Sequence, residues 1–373
     1  MTTRGRNARY GALLKSTERY SSGRVRSLRN AFFRGALGLV VTFALLELVF
    51  RLFFPQPLYA ETLAPWGVWH QANASFVHAA DGRPEGRLFS GTEFLSHVSY
   101  NSLGIRGPEY TVEKPPQTAR VVILGDSFGD AIEVEFSDTM GQVLQRELSA
   151  RKADVSLAGK PVPSRITSDP AASVESAIWR RLLSDVDGAP LLVATLAASA
   201  RGEGARPTFI QSLGIPVVSV QNEAADRAKY RFEYDGHWNV AGNARAAQII
   251  ATEILSNGLL RTGRQIDRVE VINLSHAAYD TCQETMLFEA LGRRFQPDLV
   301  LVVDSGIDRT DQQLCSIDAA GQLVLHPKQY SFSDRIVRTA RTLVRGNSYF
   351  LSWLIDRIDA LRNPEDRVPI PKV

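Results

Sequence analysis

Residues 120–130 read RVVILGDSFGD, a run of aliphatic side chains that stops at Gly125 and is followed by an acid, Asp126, and a serine, Ser127. Continuous apolar character over a few β-branched positions is the pattern of a strand buried on both faces, as in a parallel sheet packed between helices. Ser127 then falls just past the strand's carboxyl end, which is the side of an open parallel sheet where ligands bind. The same residues also suit an ordinary strand-to-helix turn, with Asp126 or Ser127 as a helix cap. Whether Ser127 carries chemistry therefore depends on a partner elsewhere in the chain.

Outward from this stretch, four more short apolar runs read as strands: Pro190 to Thr195, Ile215 to Val220, Val269 to Asn273 and Leu299 to Val303. Helix-like spacing of apolar residues falls at Asp138 to Ala150, Val174 to Leu183, Ala241 to Leu255 and Thr281 to Phe295. Strands alternating with helices over residues 119–373 predict a parallel α/β sandwich. Residues 55–118 are different, with scattered aromatics, Gly and Pro, and the alternating stretch EFLSHVSYNS. They predict a small β-rich extension of short strands or a hairpin. Lys152 to Ser173 and the tail Asn363 to Val373 are polar and proline-containing, and read as exposed loop or linker.

The net charge of +3 hides an asymmetry. Residues 1–35 hold nine basic side chains against the single acid Glu18, a local +8 that leaves −5 for the remainder. The body is mildly acidic, and its composition gives no reason to propose nucleic-acid binding. The basic arm, residues 1–34, runs into residues 35–54, about twenty apolar positions that suit a membrane-spanning helix. Glu47 and Arg51, its only charges, lie four apart and can pair on one helix face. The arm is long for a signal peptide and Leu58 is a poor cleavage-site residue, which favours an uncleaved anchor in the inner (cytoplasmic) membrane. The positive-inside rule then keeps the arm in the cytoplasm and sends everything after Phe54 to the periplasm or exterior.

A serine hydroxyl needs a base, most often a histidine oriented by a carboxylate. Of the six histidines, His237 stands out in RFEYDGHWNVAGNARAAQII, where Asp235 and His237 precede a helix. The stretches ILGDSFGD and DGHWNVAGN together resemble the nucleophile and Asp/His motifs of the SGNH/GDSL hydrolase superfamily. NSLGIRGPEY and the anchor ending LLELVFRLFF resemble its membrane-anchored bacterial members. The resemblance implies a flavodoxin-like three-layer sandwich with a five-stranded parallel sheet. It also implies Ser127 as nucleophile, His237 as general base and Asp235 as the residue orienting the imidazole. The implied activity is hydrolysis of O-acyl esters, acetyl being the first choice. The alternatives are an O-acyltransferase to cell-surface polysaccharide and a non-catalytic carbohydrate-binding or assembly component of the same fold.

Three departures from the family stand out. Its oxyanion hole combines the nucleophile's N–H with a glycine and an asparagine. Here VINLSHAAYDT places Ala278 at the glycine position, and VVDSGIDRTD offers Ile307 or Asp308 in place of the asparagine. Ser127 and Ala278 can still donate backbone N–H groups, whereas Asp308 brings no amide, and losing one donor costs roughly 2.7–4 kcal/mol of transition-state stabilisation. Second, only Gly236 separates Asp235 from His237, with Glu233 a fallback orienting acid. Third, the Asp/His segment precedes the strands that it follows in the family. Exchanging residues 152–260 with 261–373 restores the familiar order, so the chain reads as a rearranged member with seams near Arg151 and Leu260.

Cys282 and Cys315, the only cysteines, suit one disulfide in an exported domain or two free thiols. Trp238 reads as a packing residue, Asn239 as a helix cap, and His276 as a satisfied polar histidine near the site. His70, His78, His97 and His326 have no metal-ligand spacing, and no glycine-rich phosphate loop implies a nucleotide cofactor. The expectation is a protein without cofactor or metal, whose partners are an acyl-ester substrate and the bilayer.

Overall fold

The computed structural model describes residues 4–53, 60–81, 92–155, 173–186, 188–196, 205–220, 226–260, 262–305, 314–345 and 347–362. The chain divides into two compact units, Met1–Phe54 and Pro55–Val373. The first is one helix, α1 (Arg4–Phe53). Its part Arg29–Phe53 is long and apolar enough to cross a membrane and is wholly unburied, so the apolar stretch starts a little before the expected residue 35. Arg51 Nε lies 2.8 Å from Glu47 Oε1, the i,i+4 pair expected from spacing.

The second unit opens with two antiparallel hairpins, β1 (Glu61–Ala64) with β2 (Gly67–His70), and β3 (Ser75–Asp81) with β4 (Thr92–Ser99). These are the β-rich extension, and they belong to the same compact unit as the α/β part. There follow β5 (Thr118–Gly125), α2 (Ser127–Asp130), α3 (Met140–Ala150), α4 (Lys152–Val155), α5 (Val174–Asp185), β6 (Leu191–Thr195), α6 (Ala205–Ser212) and β7 (Val217–Ser219). After these come α7 (Arg227–Tyr230), α8 (Val240–Ser256), β8 (Arg268–Asn273), α9 (Thr281–Ala290) and β9 (Leu299–Asp304). The hairpin β10 (Cys315–Ile317) and β11 (Leu323–Leu325) leads to α10 (Phe332–Arg345) and α11 (Tyr349–Arg362). Of the stretch expected as loop, Lys152–Val155 is helical, while 156–172 and the tail 363–373 lie outside the described residues.

Strands β5 to β9 form one five-stranded sheet, ordered β7-β6-β9-β5-β8, with every pairing parallel. β5 is central enough to be bonded on both edges, Val121 facing Val271 of β8 and Leu299 of β9. All eight of its residues are buried, which is why its sequence does not alternate. Val121 and Ile123 point into a core with Leu144 of α3 and Ile250 of α8. Val122 and Leu124 point the other way, toward Trp179 of α5, Ile210 of α6 and Phe288 of α9. The result is a three-layer sandwich with α3 and α8 sharing one face.

Arg120, fully buried near the amino end of β5, is tolerated because its whole fork is engaged. Its Nε donates to Glu270 Oε2 at 2.6 Å and its Nη atoms to the carbonyls of Thr111, Val112 and Phe295. A buried charge needs such complete pairing. The cysteines resolve as a Cys282–Cys315 disulfide, their Cα atoms 6.1 Å apart, joining α9 to β10. It encloses a sequence separation of 33 residues, for which the loop-entropy argument gives a stabilisation of about 3–4 kcal/mol. Reduction, or Cys282→Ser with Cys315→Ser, should lower the midpoint of thermal unfolding of the intact chain; an unchanged midpoint would refute that contribution.

Candidate active site

The carboxyl end of β5 turns into α2 through Asp126, whose Oδ1 accepts from the Phe128 N–H at 3.0 Å and whose Oδ2 accepts from Ser305. Asp126 is thus the helix cap, and Ser127 is free to be the first helical residue, its N–H without an intrahelical acceptor. Gly129 is required by proximity, because a Cβ there would collide with Ser275 of the loop after β8.

His237 arrives from 110 residues away. Its Nε2 lies 2.8 Å from Ser127 Oγ, and its Nδ1 lies 2.5 Å from Asp235 Oδ1. Asp235 Oδ1 also accepts from the His237 N–H at 3.1 Å, and Gly236, at φ 84°, makes the tight turn that lets acid and histidine two positions apart face each other. Hydroxyl, imidazole and carboxylate are therefore in line.

Several neighbours hold this loop in place. Glu93 of β4 accepts from the Tyr234 N–H at 2.8 Å and the Asp235 N–H at 3.0 Å. Arg231 donates to Gly236 O at 3.1 Å, and its guanidinium lies 5.1 Å from the centre of the Phe128 ring, which in turn sits 5.0 Å from the imidazole. Asn239 caps α8 by accepting from Gly242 N–H at 3.0 Å, and Trp238 is buried with its ring 5.2 Å from Phe128. On the other side, the buried Arg106, from the NSLGIRGPEY stretch, donates to the Ala131 and Val134 carbonyls at 2.7 Å each and fixes the segment after Ser127.

One carboxylate was not anticipated. Glu133 is buried, and its Oε1 lies 3.5 Å from His237 Nδ1, so two acids address the same nitrogen. It lies in DAIEVEF, where Glu133 and Glu135 alternate with Ile132 and Val134, and nothing in that spacing marks one acid as buried. Burial, reinforced by the negative charge of Asp235, pushes Glu133 up to about 7. Burial works against an ionised Asp235 too, but the hydrogen bond and charge of His237 hold it below the usual carboxylate range. For His237, burial disfavours the imidazolium, while the Asp235 bond and the charges of Glu133 and Asp235 outweigh it and raise the ring to about 9. Glu133, Asp235 and His237 bring ligand atoms within 4.8 Å of one another, a set able to hold a metal ion. A cation there would compete with the proton on Nδ1 that Asp235 holds.

Beneath the nucleophile turn lies a second buried group. His70 Nε2 is 3.1 Å from Asp130 Oδ2 and its Nδ1 is 3.1 Å from Gly104 O. Its ring stacks between Tyr100 and His276, at 4.1 and 4.5 Å. His276 was expected to be fully satisfied, but only its Nδ1 is, against Ala277 O at 2.9 Å; Nε2 is buried without a partner. Burial, aided by the nearby His70, lowers His276 to about 3, so it remains neutral.

Of the expected oxyanion donors, Ser127 opens α2, where its N–H has no intrahelical acceptor. Ala278 is exposed in the turn after β8, which is tied to the nucleophile strand by His276 N–H donating to Gly125 O at 3.0 Å. Ala278 has φ 61°, the left-handed conformation that favours glycine. Asp308 and Ile307 lie outside the described residues. Glu233, the fallback acid, is exposed, and Asp235 holds the imidazole instead. No family profile, curated protein or solved structure matches this chain.

An imidazolium cannot accept the serine proton, so labelling of Ser127 by a neutral fluorophosphonate should rise with pH through an inflection near 9. Glu133→Gln removes a charge that raises His237 and should move the inflection to lower pH; an unmoved inflection would show Glu133 to be uncoupled. The raised value also has a stability sign: its contribution is complete below about 6.5 and is lost as the pH climbs through about 9. Glu93→Ala, which touches neither Ser127 nor the imidazole, should slow labelling roughly tenfold by loosening the loop, given how steeply rate depends on alignment. Equal rates in a folded variant would show that the loop needs no such tie.

Proposed function

We propose that this chain is a membrane-anchored, exported serine acyl-ester hydrolase of the SGNH/GDSL type. The observation that carries the reading is the Ser127–His237–Asp235 array, 2.8 and 2.5 Å across its two links and assembled from separate segments. In this mechanism Ser127 Oγ attacks the ester carbonyl as its proton passes to His237 Nε2, and Asp235 holds Nδ1–H and stabilises the imidazolium. The tetrahedral oxyanion is met by the Ser127 N–H and by that of Ala278. Collapse returns the proton from Nε2 to the leaving alcohol and leaves an acyl-serine. Water, deprotonated by the same nitrogen, then attacks the acyl-serine, freeing the acid and restoring Ser127. An O-acetyl ester is the substrate of first choice.

Three further features support kinship with that fold family. In chain order the five parallel strands lie 3-2-5-1-4; reading residues 261–373 before 152–260 makes the order 2-1-3-4-5, that of doubly wound flavodoxin-like sheets. The two seams also meet: Val155 O, beside the first, accepts from the Thr262 N–H at 3.1 Å, beside the second. Ala278 adopts the backbone conformation of the glycine that it replaces. An apolar helix ahead of the domain supports the anchor, with the basic arm left on the cytoplasmic side.

The test is hydrolysis of p-nitrophenyl acetate by the intact chain in detergent or vesicles. Ser127→Ala should abolish turnover, and Asp235→Asn should lower kcat by roughly 10³–10⁴-fold by freeing the wrong tautomer. Turnover unaffected by Ser127→Ala, or no acyl-serine on a folded wild-type chain, would remove the hydrolase reading.

A further inference from the structure

Helix α10 is seated the wrong way round for a helix of a soluble domain. Phe332, Ile336, Ala340 and Leu343 recur at helical spacing, with Val337 beside them, and they face outward: Phe332 is 80% exposed, Leu343 60%, Val337 57% and Ile336 54%. The polar face turns inward. Arg338, Arg341 and Thr342 are half-buried, Thr342 Oγ1 donating to Glu61 O at 2.7 Å and Arg338 Nη2 lying 3.4 Å from Glu61 Oε2. The helix is firmly started by Ser331 and Asp334, each side chain accepting from the other's N–H at 3.1 and 3.0 Å. The chain leading into it is tied to the first hairpin, where Lys328 N–H donates to Pro65 O at 2.7 Å and Tyr330 OH to Gly67 O at 2.8 Å.

We infer that α10 is an interfacial helix, its apolar face lying in the headgroup and acyl boundary of the bilayer that the N-terminal helix crosses. This rests on the reading of that helix as a span. An apolar face directed at lipid with a polar face held on protein is the arrangement such helices adopt. The linkage fits: α10 packs on β1, which begins at Glu61, only eight residues beyond Phe53 at the end of the apolar helix. Eight residues reach at most about 29 Å, a tether short enough to let the strand that carries α10 lie at the bilayer surface. Exposed Arg335 borders the apolar strip and suits anionic headgroups. A second copy of the chain fits less well, because a strip about 21 Å long and about 10 Å wide gives roughly 200 Å², far below the roughly 800 Å² per partner of a stable interface.

The experiment places the photoreactive residue p-benzoylphenylalanine singly at Leu45, Phe332, Ile336 or Val240 of the full chain, reconstituted in vesicles of phosphatidylethanolamine and phosphatidylglycerol. Val240 is an exposed apolar control away from α10. Mass spectrometry after irradiation should find roughly tenfold more lipid adduct from Phe332 and Ile336 than from Val240, as burial of the apolar face in the boundary requires. Lipid adducts at Leu45 with none at Phe332 and Ile336 would overturn the interfacial helix and keep the span. Adducts at Phe332 and Ile336 with none at Leu45 would keep the helix and remove the span. Adducts to a second copy from Phe332, or equal lipid yields at Val240, would also overturn the inference.

Discussion

The parallel pairing of β5 with both β8 and β9 is the constraint on which the rest of the molecule depends. A strand bonded on two edges and covered on two faces has no freedom to slide, since a one-residue slip would exchange the side chains facing α3 and α8 with those facing α5 and α9. Ser127 therefore inherits a fixed position at the carboxyl end of the sheet. Even the polar features of β5 obey this constraint: Arg120, at its amino end, is acceptable only because Glu270 of β8 and three carbonyls surround it.

The site is built by bringing loops to that fixed point. His237 is held through backbone groups of its own segment, which bind Glu93 from the β-rich extension and Arg231 from just upstream. The extension thus helps to build the candidate site, placing one carboxylate under the loop and Arg106 against the segment after Ser127. Electrostatically, Glu133 and Asp235 crowd one imidazole nitrogen, so the ring holds its proton more tightly than a lone acid would make it. That arrangement favours the imidazolium over the neutral ring.

The strands lie in the sheet in an order different from their order in the chain. α3 and α8 pack on the same face of the sheet, and the chain leaves each of them near the other, Thr262 bonded to Val155. Exchanging the outgoing connections of two neighbouring helices alters which segment follows which without moving a strand. The hydrogen bonds and core contacts depend on where strands lie, not on the order in which the chain visits them.

Much of this was legible in one dimension. The five strands, four main helices, the apolar N-terminal helix and the roles of Asn239 and Trp238 could all be read from spacing, because local periodicity reflects which faces are buried. Ser127, Asp235 and His237 were legible because a motif concentrates several chemical groups in a few residues. Glu133, His70 and Arg106 were not: their significance lies in burial against segments distant in sequence, and an acid in DAIEVEF looks like any solvated one. The cysteine bridge was open for the same reason, since it depends on a Cα separation. In α10 the sequence determined an amphipathic helix, but only the tertiary structure decided that its polar face would be the one held by Glu61. Local pattern sets what each face of an element can bury, while the direction it faces is settled by which partners the fold places beside it.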